Sequence, residues 1–146
     1  SFQRETVSAI PASFTPPAAA QKISHEQLVR IQEILGQAGG KTTVHVTLKN
    51  ILLRQAANPA LPAAGEQLVY LAEIENTSGE PIQCNFIILK TFDSGGALVD
   101  LFYIGGGSFA AGETKKKSGL FPIRPDCIDR LSSLSVESRC SVRAAR

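Results

Sequence analysis

Three patterns of apolar and polar positions follow one another along this chain of 146 residues. Residues 1–21, SFQRETVSAIPASFTPPAAAQ, show no sustained spacing and are rich in Pro, Ala, Ser and Thr, so they read as a flexible linker or arm. Leu28, Ile31, Ile34 and Leu35 then recur at helical spacing and make one stripe. Ser24-His25-Glu26-Gln27, just before it, fits a capping box: the Ser24 hydroxyl accepts from the third helical amide while Gln27 reaches back. Gly36, Gly39 and Gly40 supply the stop. The spacing predicts one amphipathic helix with its cap within residues 22–40.

From Thr42 onward the period is two, as in strands. Val44, Val46 and Leu48 alternate; Ile51 and Leu53 continue in shifted phase, which predicts a bulge near Asn50. Leu68, Tyr70, Ala72 and Ile74 form the inward set of a second strand, and Ile82, Cys84, Phe86 and Ile88 that of a third, across the turn residues 76–81. Leu98, Phe102 and Ile104 mark a fourth strand, Gly105–Gly112 a loop, and Glu113–Phe121 a fifth strand. Consecutive lysines, Lys115, Lys116 and Lys117, mark that strand as an edge, because they deter pairing with another chain. Pro122–Pro125 leads to a short turn or helix, and Leu134 and Val136 lie on a last strand. Strands of this length and punctuation predict an all-β fold: an immunoglobulin-like β-sandwich of about seven strands over residues 41–146, preceded by the helix.

The opposite strand faces are apolar as well, through Val69 and Leu71, Ile87 and Leu89, and Val99, Leu101 and Tyr103. A solvated sheet face alternates to polar, so this patch needs a cover. The helix, laid on the outside of the sandwich, is the expected cover, and a partner protein or second copy is the rival.

Composition narrows the class. Hydrophobic residues make up 43% and charged residues 19%, as for one globular domain. No apolar run reaches the length of a membrane span. Without an initiator Met, Ser1 reads as the start of a processed or trimmed chain, which leaves room for an anchor before it. Charge is uneven: residues 1–113 hold 7 Lys and Arg against 10 Asp and Glu, while residues 114–146 hold 8 against 3. The basic third lacks interleaved aromatics, so it is read as an edge strand and tail rather than a nucleic-acid surface.

Three cysteines fit no zinc spacing, and His25 and His45 lie far from them in sequence, so no metal site is expected. Cys84 reads as a buried small hydrophobe in an apolar strand. Cys127 and Cys140, in polar surroundings, are the expected disulfide, which implies an oxidising compartment.

Several stretches imitate catalytic motifs. Asp93-Ser94-Gly95-Gly96 followed by Ala97-Leu98-Val99 resembles the nucleophile segment of trypsin-like proteases. His45 lacks that family's setting, no acidic residue lies between His45 and Glu66, and the chain is too short for two barrels. A hairpin turn accounts for the segment. Gly39-Gly40-Lys41-Thr42 imitates a phosphate loop, but the first required glycine falls on Leu35 and the helix precedes the lysine. Gly106-Gly107-Ser108-Phe109-Ala110 approaches a nucleophile elbow with no histidine after it. Glu73 and Glu75, with Asp100, are a conceivable carboxylate group, read as solvated charge. Asn76-Thr77-Ser78 is a glycosylation sequon. No catalytic residue and no cofactor is expected.

Glu73-Ile-Glu-Asn-Thr-Ser-Gly-Glu-Pro81, Leu89-Lys-Thr-Phe-Asp93, Ala97-Leu-Val99 and Ala110-Ala-Gly-Glu-Thr114 together give residues 70–121 a family likeness. The segment resembles the small bacterial immunoglobulin-like domains named for a Phe-x-Leu-Tyr-Asp motif, with Leu-Lys-Thr-Phe-Asp in the motif's place. The resemblance implies an exported or cell-envelope binding domain with no catalytic residues to transfer, and it names no ligand.

The expectation is therefore a non-catalytic interaction or assembly module in the periplasm or another extracytoplasmic space. Its expected contact residues are Leu28, Ile31 and Leu35 on the helix, and Tyr103 with Lys115, Lys116 and Lys117. The alternatives are a small-molecule or glycan binder using a glycine-rich loop at Gly105–Gly107, and a cytosolic regulatory subunit.

Overall fold

A computed structural model describes residues 23–57 and 66–143; the arm expected over residues 1–21 lies outside them. The elements run α1 (His25–Leu35), β1 (Lys41–Thr42), β2 (Val46–Ala57), β3 (Glu66–Asn76), β4 (Ile82–Phe92), β5 (Leu98–Phe109), β6 (Thr114–Leu120), α2 (Pro125–Ile128) and β7 (Ser133–Val142). Two antiparallel sheets face each other. One has the order β1-β2-β3-β6 and the other β5-β4-β7. The chain changes sheet between β3 and β4, between β5 and β6, and between β6 and β7, so the two layers are interlocked. The expected all-β sandwich is what the chain forms.

The capping box forms as the residues require. Gln27 N donates to Ser24 Oγ at 3.1 Å, and Ser24 N donates to Gln27 Oε1 at 3.1 Å. Gly36 does not stop the chain: it continues in helical conformation into a single 3-10 turn, Gly36–Ala38, and Gly40 at φ 89° makes the reversal.

The helix does not lie on an outer face. It sits in the gap between β2 of one sheet and β7 of the other. There Ile31, Ile34, Leu35 and Ala38 join the core and cover the inward face of β2 (Val46, Leu48, Ile51 and Leu53). Beyond the two residues of β1, the edge of β2 is unpaired by strand. The Gln32 amide takes a strand's place there, accepting from Leu53 N at 2.8 Å and donating to Ile51 O at 3.3 Å. With three strands facing four, the gap is wider than side chains alone fill, and a helix fits it.

Bulges set the side-chain phase. The one expected near Asn50 is present, as the register of β2 on β3 slips between Leu48 and Asn50. A second, unforeseen, lies in β4, where Cys84 pairs with Cys140 and Phe86 with Arg139, leaving Asn85 extra. That added residue inverts the second half of the strand. Ile82, Cys84, Ile87 and Leu89 point inward, while Phe86 and Ile88, expected inside, point outward. The bulge also explains the glycines opposite it. A Cβ at Gly106 would lie 2.2 Å from Cys84 O, so only glycine fits, and Gly105–Gly107 continue β5 as strand rather than forming a loop. Val44, expected on the strand, is 85% exposed in the turn between β1 and β2, and His45 follows it there instead of lying mid-strand.

The disulfide joins Cys84 and Cys140, and Cys127 is free; the expected Cys127–Cys140 pair does not form. β4 and β7 are adjacent and place Cys84 directly opposite Cys140 with both side chains on the inner face, whereas Cys127 lies on α2. Among the described residues, two polar side chains are buried. Thr91 Oγ1 donates to Asp100 O at 2.8 Å and accepts from Asp100 N at 3.1 Å, filling the bulge at Val99. Asn76 Nδ2 donates to Glu80 O at 2.6 Å and to Ala110 O at 3.0 Å, while its Oδ1 accepts from Ser78 N and Oγ. Asn76 thus ties the β3–β4 turn to the β5–β6 turn. With its amide 1% exposed and fully engaged, the sequon gives no accessible acceptor in the folded chain.

Candidate functional site

The motif look-alikes resolve into backbone architecture. The Asp93 carboxylate accepts from Gly95 N and Ala97 N, both at 2.9 Å, and Gly96 N closes on Asp93 O at 3.0 Å with φ 87° at Gly96. This is the hairpin turn that the sequence implied. Ser108 Oγ is held by Gln83 Oε1 across the β4–β5 pair. Glu73 and Glu75 lie on the outer face of the first sheet, beside Asn50 and Lys49, and Asp100 belongs to the other sheet. Among the described residues, no group of three or more His, Cys, Asp or Glu side chains converges as a metal site, and no helix is long and apolar enough to cross a membrane.

The expected contact residues divide among four places. Ile31 and Leu35 are wholly buried in the core and Leu28 is packed against it, so this stripe is not free for a partner. Lys116 points out from the first sheet, opposite Glu73. Lys115 and Lys117 point in, at the open flank where β6 of one sheet faces β5 of the other. Lys115 Nζ donates to Ser108 O and lies 5.2 Å from the Phe109 ring centroid. Lys117 Nζ stands beside Gly107, 3.4 Å from where a Cβ would be. Tyr103 alone is on the outer face of the second sheet, 47% exposed.

That outer face has its own organisation. Along β4 the bulge turns Phe86 and Ile88 outward, and register places Ile88 between Tyr103 of β5 and Glu137 of β7. Phe86, 46% exposed, meets Tyr103 edge to face with ring centroids 5.4 Å apart. Between them Ile88 is almost covered. On the β7 side Glu137 receives Lys90 Nζ at 2.8 Å and Arg139 Nε at 2.6 Å. Those two hydrogen bonds, from Lys90 and then Arg139, hold the Glu137 carboxyl below the usual range. One carboxylate fixes two cations, so the border of the aromatic patch is net positive. On the β5 side, Gly105, opposite Phe86, contributes no side chain, so bare backbone lies beside the ring.

The first sheet has an open apolar area too, with Leu52, Leu71 and Leu120 exposed; Leu52, Val69 and Leu71 line a cleft of about 460 Å³ there. It carries no exposed aromatic ring among the described residues.

Sequence reasoning found Tyr103 but assigned Phe86 and Ile88 to the core. The missed signal was Asn85: a polar residue in the apolar run of β4, followed by the consecutive apolar residues 86–89, which one uninterrupted alternation does not accommodate. Comparison with known proteins gives no match to a family model, a curated protein or a solved structure.

Proposed function

We propose that this chain is a non-catalytic protein-interaction module that binds through the outer face of its β5-β4-β7 sheet. The observation that carries the reading is the exposed Phe86–Tyr103 pair around Ile88, bordered by cations fixed on Glu137. Large, rigid aromatic groups beside ordered charges are the composition of interface hot spots. Half-exposed rings on a sheet face cost solvation and give the isolated domain little packing in return. The hydrogen-bonded turn at Asp93 and the strand conformation of Gly105–Gly107 support a scaffold role over a catalytic or loop-binding one. The Cys84–Cys140 bond and the likeness of residues 70–121 to bacterial immunoglobulin-like domains support an extracytoplasmic location.

The test is cross-linked affinity capture from the source cells with the oxidised chain, run beside a Phe86→Ala/Tyr103→Ala variant. A stoichiometric component captured by the parent and lost by the variant is the expected result. A component held equally by both would move the interaction to another surface. Thiol counting on protein from its source addresses location: one reactive thiol, at Cys127, is expected, and three would place the chain in a reducing compartment.

A further inference from the structure

The outer face of the first sheet is divided in two. At one end its polar side chains bind one another: Asn50 Nδ2 donates to Glu73 Oε1 at 2.5 Å, Glu73 stands opposite Lys116, and Lys49 reaches Glu75 at 3.9 Å. At the other end register puts Leu52 opposite Leu71 and Val69 opposite Leu120, with Ser118 beside Leu71. Leu52 is 59% exposed, and the small Ser118 leaves the cleft open next to Leu71. A sheet face left to water carries polar residues at such positions. The helix, which the sequence offered as a cover, fills the flank between β2 and β7 instead.

The segment that precedes the helix starts beside this apolar end. The helix region runs along β2: Gly40 N donates to Leu48 O, and Gln32 binds Ile51 and Leu53. Ser24 lies about 12 Å beyond Gln32 along the helix, and Ala57 about 13 Å beyond Leu53 along the strand. The helix therefore begins level with the end of β2. Val29, exposed one turn before Gln32, is on the side of the helix that meets β2. Residues 1–22 join the fold there. They carry no charge between Glu5 and Lys22, and Ile10, Pro11, Phe14, Pro16 and Pro17 make the middle of that stretch apolar.

We infer that residues 10–17 of this chain dock on the apolar end of that face, with Phe14 in the hollow beside Leu52, Leu71 and Ser118, and Ile10 against Leu120. The reach fits. Between Phe14 and Ile23 the extended chain spans about 30 Å. Leu52 lies about 17 Å back along β2 from Ala57, which leaves enough chain to turn around the strand edge. Ile10 lies about 13 Å beyond Phe14, and Leu120, two strands across from Leu52, is displaced by about 10 Å. The prolines hold this stretch to extended backbone, so docking orders it at a lower entropic cost than an ordinary segment. The Phe86–Tyr103 face, on the outside of the other sheet, stays open.

Hydroxyl-radical footprinting of the oxidised full chain tests this, beside an Ile10→Ser/Phe14→Ser variant. Leu98, 51% exposed, is the internal reference for Leu52 and Leu71. In the parent, Leu52 and Leu71 are expected to oxidise about fivefold more slowly than Leu98, the ratio for a segment docked in about four chains of five. In the variant they are expected to reach the Leu98 rate, with circular dichroism unchanged and the parent a monomer in sedimentation velocity. Equal rates at Leu52 and Leu98 in the parent overturn the docking. Protection that survives in the variant gives the face to another occupant and overturns it as well. Protection lost together with a parent dimer, dispersed by the variant, assigns the segment to a second copy and overturns docking within one chain. Each of these outcomes is read without Phe86 or Tyr103, so the binding reading above stands or falls separately.

Discussion

Between β2 and β7 the sandwich is closed by a helix; between β6 and β5 it is closed by the ends of polar side chains. On the helix flank, Ile31, Ile34 and Leu35 are buried and Gln32 binds the free edge of β2. On the other flank, the groups along β5 are satisfied one at a time. Tyr70 Oη accepts from Gly105 N at 3.4 Å, Lys115 Nζ binds Ser108 O, and the Asp100 carboxylate takes Leu101 N. Apolar burial gives a flank that holds the layers together. Polar capping gives one that mainly refuses a further strand, since inward lysines and occupied edge groups leave little to pair with. The helix side contributes cohesion, and the open side leaves the neighbouring aromatic face, the one proposed to bind, uncovered.

The comparison can be broken first at the disulfide, which fastens edge strand β7 to β4 across a sequence separation of 56. Cys140→Ser is expected to cost about 4 kcal/mol by loop-closure entropy, read as a shift in the denaturant midpoint. Cys127→Ser, at the free thiol, is expected to leave the midpoint within about 0.5 kcal/mol. Next comes Leu35→Ala, which opens a cavity under the helix and is expected to cost about 3 kcal/mol by the same measurement. Asn76→Ala, which unties two turns by removing the side-chain hydrogen bonds to Glu80 O and Ala110 O and from Ser78, is expected to cost about 2 kcal/mol. A larger loss at Asn76 than at Leu35 would reverse the ranking of the two sides.

The smallest effect is electrostatic. Glu137 has a lowered pKa in the folded chain because Lys90 and Arg139 hydrogen-bond its ionised form. A depressed carboxyl pKa contributes stability that is complete above the ordinary glutamate value and is lost as pH falls through the folded one. Glu137→Gln is therefore expected to lose that small contribution at neutral pH and to converge with the parent at acidic pH, which flattens the acid limb of the stability profile. The carboxylate is solvated, so a thermal-melt comparison at acidic and neutral pH is expected to show only a small difference.

Much of the fold was legible in the sequence because its signals are local. The capping box at Ser24 and Gln27, the slip at Asn50 and the hairpin at Asp93 each depend on a few adjacent residues. What escaped depended on neighbours that the pattern does not name. The Asn85 bulge is accommodated by Gly106 on the facing strand, about twenty residues later, and it decided which side of β4 is core. The disulfide followed from strand adjacency, which polarity of surroundings does not encode. The helix went to the flank because the second sheet is one strand short, a property of the whole topology. Of the site, only Tyr103 could be picked out, since Phe86 and Ile88 change faces with the bulge.

The account turns on that inversion, and hydroxyl-radical footprinting of the oxidised full chain reads it side chain by side chain. Phe86 and Tyr103 are expected to oxidise at comparable rates, both well ahead of Phe102 and Phe121, which are 1% exposed. Phe86 protected as well as Phe102 would put it back in the core and contradict both the register of β4 and the face proposed to bind.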